Sequence, residues 1–149
     1  MRALIICGIV MAGCGGSGNQ NTGAASFNGS WSGTYSHPAT MCSDGTPKAA
    51  FTGSTSWQIN QDQAGLFLIW TYRCPIASIL FAVDGMGTAT QQGDPASCIN
   101  SPSAQATMSS GTMTVAGGVL TGTIDETEHD SGTATRDCEY LLSLTMMRQ

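Results

Sequence analysis

The sequence predicts an all-β domain: an antiparallel meander of about eight strands that forms a small closed barrel, with a two-sheet β-sandwich as the alternative. Apolar and polar residues alternate strictly over Phe27–Tyr35 and again over Phe51–Ile59, which is the pattern of half-buried antiparallel strands. No stretch repeats its apolar residues at the 3.6-residue spacing of a helix. A closed barrel is attractive because closure leaves no unpaired edge strand.

The predicted strands follow one another with turn residues between them. Leu66–Tyr72 is almost entirely apolar and therefore predicts a central strand. Asp84-Gly85-Met86-Gly87 predicts a turn, and Gly117-Gly118 predicts a two-residue hairpin. In chain order, the predicted strands are residues 27–36, 51–60, 66–72, 76–83, 88–92, 105–116, 119–125 and 136–147.

The first fourteen residues have the pattern of an export signal. Arg2 supplies a positive charge, Ala3–Met11 is a nine-residue apolar run, and Ala12-Gly13 leads to Cys14. A secretory signal combines these parts around an apolar region of about 7–15 residues. The run is too short for a membrane-spanning helix, which needs about 20 apolar residues. The sequence therefore predicts that the remainder of the chain is exported.

Met11-Ala12-Gly13-Cys14 resembles the lipobox of bacterial lipoproteins, in which an aliphatic and two small residues precede the cysteine that becomes lipidated. The resemblance implies cleavage before Cys14, a diacylglycerol on its sulfur and a further acyl chain such as palmitate on its amine. Gly15, in place of Asp, favours the outer membrane. The expected organisation is a signal peptide over 1–13, a lipidated Cys14 with a Gly/Ser/Asn tether over 14–26, and one β domain over 27–149.

The mature chain is acidic and sparsely charged. After removal of residues 1–13 it has ten acidic against four basic residues, a net charge of −6, and only 10% of all residues are charged. Because no basic patch is present, a nucleic-acid partner is disfavoured. The expected partners are the membrane, through the lipid anchor, and an unidentified ligand or envelope protein.

Four cysteines remain in the mature chain once Cys7 leaves with the signal and Cys14 takes the lipid: Cys42, Cys74, Cys98 and Cys138. An even number of cysteines in an oxidising compartment predicts two disulfides. The cysteines lack the close spacing that a zinc site needs, so no metal is expected.

The pairing follows from the order of the strands. Successive connections in a meander alternate between the two ends, which places all four cysteines at one end. Strands 51–60 and 66–72 are expected to form a hairpin, whose open end brings Cys42 near Cys74. The favoured pairs are therefore Cys42–Cys74 and Cys98–Cys138, each contributing roughly 3–4 kcal/mol by loop-closure entropy.

Gly29-Ser30-Trp31 is similar to the Gly-x-Trp signature of the lipocalins and other calycins. The resemblance implies that Trp31 closes one end of the barrel beneath an arginine from the last strand, and Arg136 and Arg148 are the candidates. It also implies a second function, the carriage of an apolar small molecule inside the barrel.

The sequence offers few catalytic groups, with only His37 and His129 as histidines and no Gly-x-Ser-x-Gly elbow. Glu126–Asp130 is predicted to be a solvated acidic turn without a metal. The chain is therefore expected to be non-enzymatic and to lack a cofactor. A third function is inhibition of a periplasmic lysozyme or protease, in which the Glu126–Asp130 segment enters a basic active site.

Overall fold

A computed structural model describes residues 26–70, 78–101, 103–132 and 135–149. Over these ranges the chain forms eleven strands and no helix, so the all-β prediction is confirmed. The strands are β1 (Gly29–His37), β2 (Thr40–Met41), β3 (Pro47–Lys48), β4 (Phe51–Ile59), β5 (Leu66–Trp70), β6 (Ser78–Val83), β7 (Thr88–Gln91), β8 (Ala96–Ser101), β9 (Ala104–Ala116), β10 (Val119–Asp130) and β11 (Arg136–Arg148).

Nine of these strands form one antiparallel sheet in the order β4-β1-β11-β10-β9-β7-β6-β5, with β8 beside β7 on the same edge of β9. β7 and β8 together act as one interrupted strand that faces the thirteen-residue β9. Counted in this way, the sheet has the predicted eight strands, and each pairs with the next one in the chain except β4 with β5. The sequence pattern missed β8 and the small β2–β3 hairpin, which lies in the connection between β1 and β4.

The predicted closed barrel is wrong. The first strand does pair with the last, β1 with β11, but β4 and β5 are the two edges of the sheet. The described residues form no ladder between β4 and β5, and the sheet is an open half-barrel with a seam at this point. Phe27 lies at one end of the seam. Its ring stacks on that of Phe67, and its backbone N–H donates to the side-chain oxygen of Gln61. Alternation assigns each side chain to a face and does not specify which strands pair, so the seam was not predicted.

The interior of the half-barrel is filled by side chains. The inward-facing residues of the main strands form one buried cluster. Along β11, buried residues alternate with exposed ones from Cys138 to Met146, as the sequence predicts. The largest fully buried side chains include Trp31, Phe81 and Met108. The half-barrel is therefore built around a packed core.

Candidate functional site at the disulfide-bonded end

One end of the half-barrel is cross-linked. We call it the rim, which comprises the β1–β4 connection (residues 38–50), the last residues of β10 and the first residues of β11. Cys42, in the connection, is bonded to Cys138 of β11, 96 residues along the chain. Both cysteines are buried. The bond folds the β1–β4 connection back onto the β10–β11 end of the sheet.

This bond corrects the predicted pairing, because Cys42–Cys74 and Cys98–Cys138 are both incompatible with it. The prediction assumed that the second and third main strands pair as a hairpin, and those strands are β4 and β5, which border the seam. Cys98 is also disulfide-bonded, while Cys74 lies outside the described residues.

The expected clustering of cysteines at one end holds for the three that the structure describes. Cys98 on β8 lies opposite Ala106 on β9. Ala106 lies opposite Glu128 on β10, and Glu128 lies opposite Cys138 on β11. Cys98 and Cys138 therefore occupy the same row of the sheet, and Cys42 reaches that row through its disulfide.

Two hydrogen bonds reinforce the disulfide. The Ser43 N–H donates to the Asp137 carbonyl oxygen at 2.8 Å, and the Asp137 N–H donates to Ser43 Oγ at 2.9 Å. These residues directly follow Cys42 and directly precede Cys138. The covalent and hydrogen-bonded links thus hold one short stretch of the connection against β11 at three adjacent points.

Ion pairs extend this attachment across the rim. Lys48 Nζ of β3 lies 3.2 Å from Glu128 Oε1 of β10. Arg136 Nη2 lies 3.0 Å from Asp130 Oδ2, and its Nη1 lies 3.9 Å from Asp44 Oδ2. Single surface ion pairs contribute little to stability. Their effect here is to orient a connection that is already bonded to the sheet.

Two rim carboxylates have lowered pKa values. The pKa of Asp130 lies below its ordinary value, chiefly because the Gly132 N–H donates to it, with a further contribution from the Arg136 guanidinium. The pKa of Asp44 is lowered mainly by hydrogen bonds from the Thr46 backbone N–H and hydroxyl. Hydrogen bonds to the charged form favour ionisation, so both groups are anionic at neutral pH.

The predicted acidic turn at Glu126–Asp130 is wrong, because these residues belong to β10. Strand alternation directs Glu126 inward, and only 2% of its surface is exposed. It lies opposite Tyr140 on β11 and Met108 on β9. The sequence could have predicted this buried position. Glu126 lies an even number of positions from the apolar Leu120 and Ile124, so it belongs to the same face of the strand.

The two histidines do not form a common site. His37 is buried, with its Nδ1 2.9 Å from the Pro38 carbonyl oxygen and its ring 4.6 Å from that of Tyr140. His129 lies on the outer face, with its Nδ1 2.6 Å from Asp137 Oδ1. Within the described ranges, no group of three or more His, Cys, Asp or Glu residues is arranged to hold a metal ion.

A groove of about 510 Å³ lies beside the rim. One wall is residues 38–40, which follow β1, and the opposite wall includes Asp125, Glu139 and Leu141. Asp125 and Glu139 lie on the outer face of neighbouring strands. The rim is therefore bordered by an open, acidic groove.

The Gly29-Ser30-Trp31 motif lies at the opposite end of the half-barrel. Trp31 is fully buried, and its Nε1–H donates to the Phe27 carbonyl oxygen at 2.7 Å. The guanidinium carbon of Arg148 lies 4.7 Å from the Trp31 ring centroid, within cation–π range. Of the two candidate arginines, Arg148 of the last strand thus covers Trp31, and Arg136 belongs to the rim.

Comparison of the chain with family models, curated proteins and solved structures finds no match. No helix in the described part of the chain is long and apolar enough to cross a membrane. The predicted signal peptide, Cys14 and most of the tether lie outside the described residues.

Proposed function

We propose that this chain is a lipid-anchored, non-enzymatic protein of the cell envelope, on the outer membrane, that binds a protein partner through the rim. The observation that carries the proposal is the triple attachment of the β1–β4 connection to β11 by Cys42–Cys138 and the reciprocal Ser43–Asp137 hydrogen bonds. A surface held in one conformation loses little entropy when a partner binds.

The packed interior supports binding at the rim over carriage inside the barrel. A carrier needs an interior space of about 300–1,000 Å³ for a small ligand. Trp31, Phe81, Met108 and Met146 are instead among the fully buried side chains of a single core cluster.

The charge distribution indicates a basic partner. Besides the buried Glu126, six of the ten acidic residues lie at the rim or beside its groove, against two described basic residues, Lys48 and Arg136. Complementary charge accelerates association and selects the partner. Inhibition of a lysozyme or protease with a basic active-site cleft is the specific form of this function, and the groove walls and β10 carry the charges suited to it.

The test uses the mature chain in detergent micelles and a panel of basic lysozymes and proteases, with binding and loss of hydrolase activity as readouts. Glu139→Lys, on the groove wall, is expected to weaken binding about tenfold by replacing an attraction with a repulsion. Asp94→Lys makes the same charge change at an exposed residue outside the groove and is expected to leave binding unchanged. Equal effects of the two variants, or binding to no member of the panel, would overturn the proposal of a basic hydrolase partner.

The anchor is tested separately in the producing cell. Metabolic labelling with palmitate is expected to mark the chain, and Cys14→Ser is expected to abolish the label and to release the chain from the membrane fraction. A Cys14→Ser chain that remains labelled contradicts the lipobox assignment.

One observation favours the second candidate, a calycin-like carrier: Arg148 covers Trp31 as the Gly-x-Trp resemblance implies. That function requires an apolar ligand to enter between the core side chains. Saturable binding of a fluorescent fatty acid that is displaced by the same fatty acid without the label would support it. The absence of saturable binding excludes it.

A further inference from the structure

The outer face of the sheet carries two continuous rows of hydroxyl side chains. Each row crosses six neighbouring strands, β4, β1, β11, β10, β9 and β7, and every position in it is Ser or Thr. The register of the strands places Thr52, Ser36, Ser143, Thr123, Thr112 and Thr90 in the first row, and Ser54, Thr34, Thr145, Thr121, Thr114 and Thr88 in the second.

These rows contain no charged side chain, and none of their residues is buried. Neighbouring strands lie about 4.8 Å apart, and alternate residues of one strand lie about 6.7 Å apart. The rows therefore present hydroxyl groups at regular intervals in two directions. Charged residues would solvate an outer face equally well. The need for solvation therefore does not explain why every position in the rows is Ser or Thr.

A groove lies where the rows cross β10, β9 and β7. Its volume is about 310 Å³, and it is lined by Met113, Gly122 and Leu144 together with five threonines: Thr88, Thr112, Thr114, Thr121 and Thr123. The hydroxyls of Thr114 and Thr121 are 3.2 Å apart, and those of Thr112 and Thr123 are 3.3 Å apart. Since a hydroxyl has one donor and two acceptor sites, each bonded pair retains one donor and several acceptors for a ligand.

We propose that this threonine groove binds an uncharged glycan chain. A neutral sugar offers donors and acceptors at close intervals, which the paired hydroxyls can satisfy in both directions. A charged ligand finds no opposite charge in the rows, and an apolar ligand removes water from hydroxyls without replacing its hydrogen bonds, which is unfavourable.

The twist of the sheet favours a chain over a flat crystalline surface such as ice. Neighbouring strands rotate by about 20–25°, so six strands turn through roughly 100°. A planar lattice can follow the hydroxyls over only two or three strands, whereas a glycan chain can bend with the row.

The test titrates a neutral N-acetylglucosamine tetrasaccharide into the mature chain in detergent micelles and observes threonine methyl groups by NMR. Saturable shifts are expected at the five groove threonines and not at Thr107, which lies on β9 outside the rows. The double variant Thr114→Val/Thr121→Val removes two hydroxyls while keeping the side-chain shape, and is expected to weaken binding at least about tenfold. Thr52→Val, at the far end of the first row, is the matched control and is expected to bind normally.

The absence of saturable shifts overturns the proposal, as does equal weakening by Thr52→Val. An equally strong response to polygalacturonate, an anionic glycan, contradicts the requirement for a neutral ligand. If the chain inhibits ice-crystal growth and the double variant loses that property while the tetrasaccharide does not bind, the ligand is ice and the glycan proposal is wrong. None of these outcomes bears on the rim, because Glu139 and the disulfide lie outside the threonine groove.

Discussion

Removal of the Cys42–Cys138 bond is the most direct test of the structure, because it acts on both the fold and the rim. The bond closes a loop with a sequence separation of 96 residues. Loop-closure entropy for a loop of about 100 residues stabilises the folded state by about 4.7 kcal/mol at 25 °C. The total free energy of unfolding of a domain is about 5–15 kcal/mol, so this one bond accounts for a large share of it.

The variant is Cys42→Ala/Cys138→Ala, since alanine avoids placing a hydroxyl in the buried positions that the cysteines occupy. We expect the free energy of unfolding to fall by about 3–5 kcal/mol. Urea titration without reductant, followed by the fluorescence of the buried Trp31 and Trp57, measures the loss. Peptide mapping of the unreduced parent chain identifies the bonded pair.

Ser43→Ala is the control for local bonding, because it removes the hydroxyl that accepts from the Asp137 N–H and leaves the disulfide intact. Its expected cost is about 1 kcal/mol, the net value of one hydrogen bond. A double-alanine variant that loses less than 1 kcal/mol would refute the entropy argument. A peptide map that joins Cys42 to any cysteine other than Cys138 would refute the structural assignment.

Three further predictions concern other parts of the molecule. Arg148→Ala is expected to lower the free energy of unfolding by about 1 kcal/mol, through loss of the cation–π contact, and to change the emission of Trp31; an unchanged spectrum and stability would contradict the contact. Gly33→Ala is expected to destabilise by at least about 1–3 kcal/mol, because the new methyl group meets the β11 backbone, whereas Gly85→Ala, with open space around it, is expected to be neutral in the same urea titration. Because hydrogen bonding lowers the pKa of Asp130 in the folded state, its contribution to stability is complete above the unfolded-state pKa near 3.8 and is lost as the pH falls through the lower folded-state value. Asp130→Asn is therefore expected to reduce the loss of thermal stability that occurs as the pH falls below about 4, and an unaltered acid profile would show that this carboxylate is not involved.

The positions of individual side chains were largely predictable from the alternation along each strand. The burial of Trp31, the inward row from Cys138 to Met146 and the Gly117-Gly118 turn all follow from a period of two or from local turn chemistry. Glu126 shows that the same rule outweighs polarity. Its parity places it in the core although its acidic neighbours suggest an exposed turn.

The pairing of distant segments was harder to predict from the sequence. The expected barrel and the expected disulfides failed together, because both assumed that β4 and β5 pair. At one end of the seam between these two strands, Phe27 contacts Phe67 and the side chain of Gln61. These contacts join residues more than thirty positions apart, and no local pattern encodes them.

The amino-acid pattern alone specified an all-β chain, the faces of its strands and the end at which its cysteines gather, because each depends on residues close in sequence or on the parity of connections. Only the tertiary structure decided that Cys42 reaches Cys138, that Arg148 rather than Arg136 covers Trp31, and that twelve Ser and Thr residues from six strands align in two rows. Each of these depends on strand register and on which edges of the sheet remain open. Those are set by the packing of the whole core and by no single segment of it.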